Sequence, residues 1–368
     1  MEHASQARSS IYSLCKQSAY NRRNRIMAET WESLFTKQAI TEGHSQAFID
    51  ECLKYRTELS AKNMPVIYDM KHLANLIGWS VNGLKYVLCF IDEHYTTYEI
   101  RKKSKAGGTR EITAPSATMK QAQWWVYHKL LMKDERVSKY AQGFMERRSI
   151  KTNAIPHEGA IWLLTLDLKQ FFDNIYANRV YGYFQSLGYE KKVCWALTAI
   201  CTYKGHLPQG APTSPLLSNL LSKDMDDEIA GYCAANDFVY SRYADDITIS
   251  SNDWNKKPSV NDVRQIVEKH GFRLNHKKTK LRHKGQKMEV TGLTIGEGVH
   301  VPKKYRSEIL RELHFCEKLT PDVHSKNKYP DKMFYKEWLL GRIQYVRSVD
   351  QGIGDKMLDR FNKLDWIL

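Results

Sequence analysis

The 368-residue sequence has little that suggests a membrane or a secretory route. Its longest apolar stretches, such as AIWLLTL at 160–166, are far shorter than the roughly 20 residues that a membrane-spanning helix needs. The first residues, MEHASQARSSIYSLCKQ, lack the continuous apolar region of a secretory signal. We therefore expect a cytoplasmic protein with no membrane partner.

Paired cysteines are also missing. The seven cysteines are an odd number, widely scattered, and none of them forms a CxxC pair. This spacing argues against a zinc site, a redox dithiol and a disulfide framework. Because free cysteine is usually buried, we predict reduced, mostly core-filling thiols.

Acidic residues are in the minority. Asp and Glu number 41 against 56 Lys and Arg, which gives a formal charge of +15. Such a balance favours a polyanionic partner, with nucleic acid the first candidate. An anionic membrane surface is the second, which the short apolar stretches disfavour. The hydrophobic content of 42% and the length allow a sizeable core and two or three subdomains.

The order of predicted helices and strands indicates an α+β fold. Helical and strand-like spacing mix without the regular βαβ rhythm of a doubly wound sheet. The predicted elements are helices up to about residue 60, further helices that begin at the N-caps Asp69 and Ser80, a basic hairpin at 95–115, a buried strand at 161–168, a hairpin at 237–250, a helix at 259–270 and a strand at 288–295.

The hairpin DFVYSRYADDITIS, at 237–250, carries two adjacent carboxylates, Asp245 and Asp246. Two neighbouring carboxylates repel each other, so a turn that desolvates them needs a cation. Asp167 closes the apolar run AIWLLTLD, where a lone buried charge would be costly without a partner. Three such carboxylates would suit two Mg²⁺ ions that bind substrate phosphates, which is the chemistry of nucleotidyl transfer. An isolated pair of aspartates is more often a solvated turn, so the interpretation depends on the neighbouring motifs.

Several blocks, in order over about residues 60–345, resemble the motifs of reverse transcriptases. LTLDLKQFF resembles motif A, LPQGAPTSPLLSNL motif B, YADD motif C, GFRLNHKKTKL motif D and EVTGLTIG the motif E region. Two further features are similar to the retron branch of that family. NAIPH at 153–157 matches its NAxxH pattern, and Val290, Thr291 and Gly292 match its VTG pattern.

The resemblance implies an RNA-directed DNA polymerase with the right-hand fold of fingers, palm and thumb. The expected boundaries are a helical N-terminal extension at 1–60, fingers at 61–160, a palm with a fingers contribution at 161–300 and a thumb at 301–368. Asp167, Asp245 and Asp246 would be the ligands of two Mg²⁺ ions. Thumb helices at 303–319 and 335–349 would grip an RNA/DNA hybrid by its shape and phosphates.

The resemblance also implies residues that bind the incoming dNTP. Phe172, five residues after Asp167, would exclude a ribose 2′-OH, although core packing beside Phe171 is an alternative. Gln209 and Gly210 would hold the nucleotide and the template. On the basic hairpin, Lys103 and Arg110 would clamp the triphosphate; Lys102 competes with Lys103, and a solvated loop is the alternative. Lys278 in motif D would protonate the leaving pyrophosphate as a general acid, unless these lysines merely track phosphates.

Five residues would belong to a region that engages a cognate structured RNA: Asn153, His157, Val290, Thr291 and Gly292. The alternative for Asn153 and His157 is a structural role, in which an amide and an imidazole satisfy buried backbone groups. The role of NRRNR at 21–25 stays open between RNA binding, an effector contact, assembly and a solvated face.

The function implied is that of a retron reverse transcriptase, which copies part of its noncoding RNA (msr-msd) into single-stranded DNA (msDNA). Synthesis would start from a 2′-OH of a guanosine in that RNA and serve antiphage defence with an associated effector protein. The short stretch after motif E suggests that a host ribonuclease H removes the template. The alternatives are a group II intron-like or abortive-infection reverse transcriptase, and a nucleic-acid-binding scaffold or antitoxin whose polymerase site is idle.

Overall fold

A computed structural model describes residues 30–101 and 108–366. Within these ranges the chain forms fifteen α-helices, which we number in chain order: α1 Trp31–Thr41, α2 Gln46–Ala61, α3 Met70–Ile77, α4 Val81–Cys89, α5 Ala117–Lys129, α6 Ile150–Ala154, α7 Ala177–Leu187, α8 Lys191–Cys201, α9 Ser214–Leu221, α10 Lys223–Ala235, α11 Val260–Lys269, α12 Lys303–Leu319, α13 Pro321–Lys328, α14 Tyr335–Val349 and α15 Gln351–Asn362.

The same ranges contain nine strands: β1 Tyr95–Arg101, β2 Thr109–Pro115, β3 Trp162–Asp167, β4 Val239–Tyr243, β5 Asp246–Ser251, β6 Lys280–His283, β7 Glu289–Val290, β8 Leu293–Ile295 and β9 Val299–His300. No helix in the described part of the chain is both long and apolar enough to span a bilayer. The segment NRRNR and Cys15 lie outside the described residues.

Local sequence signals explain several helix boundaries. Asp69 accepts a hydrogen bond from the His72 backbone N–H at 2.7 Å, and Ser80 accepts one from Gly83 at 3.0 Å. Both side chains satisfy an N–H group that has no partner within the helix, which confirms the two predicted N-caps. At its other end α3 stops at Gly78, whose φ of 90° lies in the left-handed region that favours glycine.

The chain divides into two compact units, and the first contains residues up to Val137 together with Gln170–Lys223. Its helices α1 and α2 share a small core around Phe35 and Ile49. Strands β1 and β2 form an antiparallel hairpin in which Tyr95 pairs with Pro115 and Arg101 with Thr109. The predicted hairpin is thus confirmed on both sides of its turn, while Lys103 lies outside the described residues.

The second unit contains Ser138–Lys169 and Asp224–Leu368. Its main sheet has the order β4-β5-β3-β6, and every neighbouring pair is antiparallel. A three-stranded sheet, β7-β8-β9, and helices α12, α14 and α15 enclose a second core. Helices α12 and α14 have the bounds that the sequence predicted. The predicted division at residues 60, 160 and 300 remains a prediction, since these compact units are defined by packing alone.

Six cysteines in the described ranges are free thiols, and five of them are buried. The burial of five of them confirms the mostly core-filling role predicted for the thiols. Cys89 is the exposed one.

Candidate active site

The two aspartates of motif C lie at a tight turn between β4 and β5. Tyr243 pairs with Asp246, so Ala244 and Asp245 alone form the two-residue turn. Ala244 has a φ of 55°, a left-handed conformation that a non-glycine residue adopts at a cost. This strained turn places both carboxylates at one end of the sheet.

Asp167 lies directly across from this turn. It ends the buried strand β3, and its cross-strand partner on β5 is Asp246. The backbone carbonyl of Asp245 accepts a hydrogen bond from the Leu168 N–H at 2.8 Å. Since directly opposed residues of antiparallel strands share a face, the carboxylates of Asp167 and Asp246 face the same side of the sheet.

Crowding of like charges changes the acidity of this cluster. Burial of its carboxylate, followed by the negative charges of Asp245 and Asp167, raises the pKa of Asp246 to about 6, although the residue as a whole is exposed. A raised pKa means that the ionised form is disfavoured in the absence of a cation. The cluster is therefore short of positive charge.

Motif D supplies a cation and an amide to Asp167. The Lys278 ammonium donates to Asp167 Oδ1 at 2.5 Å, and the Asn275 side-chain amide donates to Oδ2 at 3.2 Å. The Asn275 backbone N–H also donates to the Asp167 carbonyl at 2.8 Å. This ion pair raises the pKa of Lys278, so its ammonium stays protonated at neutral pH.

The donor chemistry of the three carboxylates fits a hard divalent cation. Among residues 30–101 and 108–366, however, no group of three or more His, Cys, Asp or Glu side chains is already arranged to hold a metal ion. Lys278 supplies the positive charge at Asp167 in this arrangement. The carboxylates are close neighbours, and a cation at Asp167 would compete with the Lys278 ammonium.

A buried ion pair stands behind the motif C turn, and sequence reasoning missed it. The side chains of Arg242 and Asp226 are both fully buried and form two parallel bonds of 2.7 Å each. The Tyr240 hydroxyl donates to the same carboxylate at 2.6 Å. Arg242 Nη1 also donates to the Ala244 carbonyl at 3.0 Å, so the pair holds the strained turn in place.

Alternation along β4 could have revealed this pair. Tyr240 and Arg242 are two residues apart and therefore share a face of the strand. An arginine on a buried face requires a buried acid, because an isolated charge in the core is very costly. The short helix sequence KDMDDEIAGY offers several aspartates, and only the structure selects Asp226.

Gly143 packs closely against the same turn. A Cβ atom on this residue would lie 2.7 Å from the Ala244 backbone nitrogen. No side chain is tolerated at this distance without movement of the turn, so only glycine fits here.

The dNTP-binding candidates lie in the first unit. Gln209 accepts a hydrogen bond through its backbone carbonyl from the Thr113 N–H of β2 at 2.9 Å. Gly210 has a φ of 140°, and a Cβ atom there would lie 2.8 Å from the Thr113 carbonyl oxygen. The motif B loop is therefore fastened to the basic hairpin, on which Arg110 pairs with Ile100. Phe172 is half-buried, with its ring 5.5 Å from that of Phe171.

The structure joins the two segments that resemble retron motifs. Asn153 in α6 is fully buried, and its side-chain amide donates to Thr291 Oγ1 at 3.4 Å. The Thr291 hydroxyl in turn donates to the Ile150 carbonyl at 3.3 Å. Val290 is buried, while Thr291 and Gly292 form a turn in which both have positive φ and Gly292 is exposed. The NAIPH and VTG segments, about 135 residues apart in sequence, are thus joined by hydrogen bonds between α6 and the turn at Thr291.

His157 is buried beneath the main sheet. Its two ring nitrogens lie 2.7 Å from Ser250 Oγ and 2.8 Å from Ser241 Oγ. Burial lowers the pKa of His157 to about 4. The imidazole is neutral at physiological pH and links β5 to β4.

This burial predicts a pH dependence of stability. The unfolded chain binds a proton at His157 below the ordinary pKa of 6.5, and the folded chain does so only near 4. The contribution of neutral His157 to the free energy of unfolding is therefore fully present above pH 6.5. It is lost as the pH falls from 6.5 to 4, which lowers the free energy of unfolding by up to about 3 kcal/mol. Urea unfolding at pH 7, 5.5 and 4.5 should show a steeper loss for the native sequence than for His157→Gln. An equal dependence of stability on pH in the two proteins would contradict the burial of His157. The pKa of His72 is also lowered to about 4, but His72 contributes equally to both proteins.

Comparison with known proteins gives the class of this fold and site. The family model of reverse transcriptases (RNA-dependent DNA polymerases) matches residues 100–295. The chain is 33% identical to the Retron Ec86 reverse transcriptase of Escherichia coli over 306 residues, which cover 82% of this chain and 91% of that protein. It is 30% identical to the Retron Mx65 reverse transcriptase of Myxococcus xanthus over 333 residues, 84% of this chain and 75% of that protein.

The solved structure of a telomerase from Candida albicans is also similar, with a TM-score of 0.42 and 12% identity over 73% of this chain and 63% of that one. The α+β fold and the family match define an RNA-directed DNA polymerase of the palm type, which uses divalent metal ions. More narrowly, the chain belongs to the retron reverse transcriptases, which work with a noncoding RNA template.

Proposed function

We propose that this chain reverse transcribes part of its own structured noncoding RNA into single-stranded DNA. The observation that carries the proposal is the cross-strand pairing of Asp167 with Asp246 beside the Asp245 turn, in a chain of this family. Synthesis starts from a 2′-OH of a guanosine in the RNA and serves antiphage defence. The protein acts in the cytoplasm with an effector protein, and a host ribonuclease H removes the template.

The metal ligands of this proposal are Asp167, Asp245 and Asp246, and the metal is Mg²⁺ as two ions. When bound, the ions would activate the attacking hydroxyl and stabilise the negative charge that develops on the leaving pyrophosphate. Asn275 orients Asp167 through its two hydrogen bonds. Lys278 carries the proton that a general acid must donate, and it lies at the carboxylate end of the sheet.

In this proposal the motif B loop and the basic hairpin bind the substrate. Gln209 and Gly210 hold the incoming nucleotide and the template, and the backbone bond to Thr113 keeps their loop in register with β2. Arg110 and Lys103 bind the triphosphate. These roles keep the division into fingers at 61–160, a palm with a fingers contribution at 161–300 and a thumb at 301–368.

Phe172 is proposed to select deoxynucleotides, because a bulky ring collides with a ribose 2′-OH. We expect Phe172→Ala to raise ribonucleotide incorporation by about tenfold or more relative to dNTP incorporation, in line with the 1–3 kcal/mol that a steric pocket contributes to discrimination. Single-nucleotide extension with each substrate measures the ratio. Phe171→Ala is the control, and an unchanged ratio in Phe172→Ala would refute the role.

In this proposal the NAIPH and VTG segments, which Asn153 and Thr291 join, form the region that engages the RNA. Asn153 and His157 are buried, so we propose that they shape this region and that the turn at half-buried Thr291 and exposed Gly292 contacts the RNA. Asn153 fixes the turn through its bond to Thr291. Double-stranded parts of a structured RNA are recognised mostly by their shape and by contacts to 2′-OH and phosphate groups.

The proposal is tested by expression of the chain together with the noncoding RNA that flanks its gene. We expect single-stranded DNA whose mobility increases after ribonuclease treatment, as a branched RNA–DNA product requires. Asp245→Asn serves as the inactive control. Copurified RNA without any DNA would favour the scaffold or antitoxin alternative, and DNA synthesis that needs no cognate RNA would favour a non-retron reverse transcriptase.

A further inference from the structure

We propose that a cluster of rings at the other end of the main sheet binds single-stranded nucleic acid by base stacking. The cluster consists of Trp162, Trp254 and His283, and we call it the Trp254 platform. The Trp162 ring centroid lies 5.8 Å from that of Trp254 and 5.5 Å from that of His283. Trp162 Nε1 donates to the Trp254 carbonyl at 3.0 Å, which fixes the loop that carries Trp254.

The platform is separate from the carboxylate cluster. Trp162 is the first residue of β3 and Asp167 is the last. Five residue steps of an extended strand correspond to about 17 Å. The cross-strand partners of Trp162 are Ser251 and His283, neither of which contacts the carboxylates. A ligand on the platform would therefore use a different set of atoms.

Trp254 offers its indole to solvent. It is 54% exposed, although Trp is the side chain with the largest apolar surface to bury. Trp162 donates a hydrogen bond to the Trp254 carbonyl, and the rings of Trp162 and His283 contact the Trp254 indole. These contacts fix the position of the indole. An exposed, fixed aromatic face is what a nucleobase stacks on.

Positive charge surrounds the rings. The Lys257 ammonium lies 5.5 Å from the Trp162 ring centroid, and Lys284 follows His283 as an exposed residue. Two other lysines nearby, Lys256 and Lys287, are paired with Asp237 and Glu289, so their charges are partly offset.

The loop that carries Trp254 also contains an acidic residue, Asp253, whose carboxylate is bound within the loop. The Asp253 carboxylate accepts from the Asn255 N–H at 2.8 Å, which commits it to the loop itself. The remaining surface combines ammonium groups with flat rings, the combination that binds phosphates and bases of a single strand. An acidic protein segment would match the charge and would leave the indole without a role. A duplex would match the charge too, but its bases are stacked internally.

The inference rests on the proposed function only in that the chain handles nucleic acid. It is tested with the full-length protein and a fluorescent single-stranded oligonucleotide, dT12 or U12, by anisotropy at low and moderate salt. We expect Trp254→Ala to weaken binding about tenfold and Trp254→Phe to retain most of the affinity. Trp195→Ala is the matched control, because Trp195 is equally exposed at 54% and lies in the first unit.

Position is tested by photocrosslinking. A 5-iodouracil oligonucleotide should crosslink to the peptide that contains Trp254, and excess unlabelled dT12 should suppress the crosslink. Extension of a preformed RNA-template, DNA-primer duplex should stay unchanged in Trp254→Ala, and so should its melting temperature. Native affinity in Trp254→Ala, an equal loss in Trp195→Ala, or displacement of the strand by polyglutamate regardless of Trp254 would each overturn the proposal.

The outcome is distinguishable from failure of the proposed function. If the native chain makes no DNA on its RNA but binds dT12 in a Trp254-dependent way, the platform stands and the proposed function fails. If it makes DNA and Trp254→Ala binds dT12 normally, the platform alone fails.

Discussion

Asp246→Asn is expected to reduce DNA synthesis by three orders of magnitude or more. The change keeps the size of the side chain and removes one proposed metal-binding oxygen together with its charge. Stabilisation of transition-state charge by bound ions is worth several kcal/mol, and each 1.36 kcal/mol corresponds to a factor of ten in rate. The rate of single-nucleotide incorporation on a primed RNA template measures the loss.

The Asp246→Asn variant should lose activity without losing stability. Asp246 repels Asp245 and Asp167 in the absence of a cation, as its raised pKa indicates. Removal of its charge should therefore leave the melting temperature unchanged or raise it slightly. Asp331→Asn, the same chemical change at an exposed position, is the matched control. An Asp246→Asn protein with more than a tenth of native activity would contradict the assignment.

Arg242→Met is expected to destabilise the second unit by about 3–5 kcal/mol, the usual cost when one partner of a buried ion pair is removed. The Asp226 carboxylate would then be left in the core with the Tyr240 hydroxyl as a remaining donor. Chemical denaturation, followed by tryptophan fluorescence, measures the change.

The double variant Arg242→Met with Asp226→Asn separates folding from catalysis. Asparagine removes the buried charge and still accepts from Tyr240, so we expect much of the lost stability to return. The bond from Arg242 to the Ala244 carbonyl stays absent, and activity should therefore stay low. If activity returned in step with stability, Arg242 would act through the fold alone. The split between kcat and KM adds a further check, since a misplaced turn lowers kcat at saturating substrate.

The fold class and the position of the carboxylates were predictable because they depend on local patterns. A buried apolar run that ends in Asp167 and a hairpin that ends in two aspartates identify strands by alternation and a turn by its residues. Helices α12 and α14 were predictable for the same reason, since each has an amphipathic pattern over its whole length.

The sequence could not predict contacts that join distant segments. It offered Lys278 as a proton donor, but only the structure shows the ammonium bound to Asp167. No strand was predicted between the helix at 259–270 and the strand at 288–295, yet β6 forms at Lys280–His283, where it pairs with the edge of β3. The partner of Arg242 was hidden as well, since several aspartates of α10 satisfy the same pattern. The roles of the substrate-binding and RNA-binding candidates stay predictions.

The bond between Asn153 and Thr291 has a consequence for the construction of chimeric enzymes. The turn at Thr291 and Gly292 takes its shape from α6, whose Ile150 carbonyl and Asn153 amide both bond to Thr291. If the VTG turn alone were transplanted from a relative, it would be separated from the α6 groups of that relative that correspond to the Ile150 carbonyl and the Asn153 amide. Under the proposed RNA-binding role, the unit of exchange for altering which RNA is copied is therefore a pair of segments, 149–157 and 289–295, moved together.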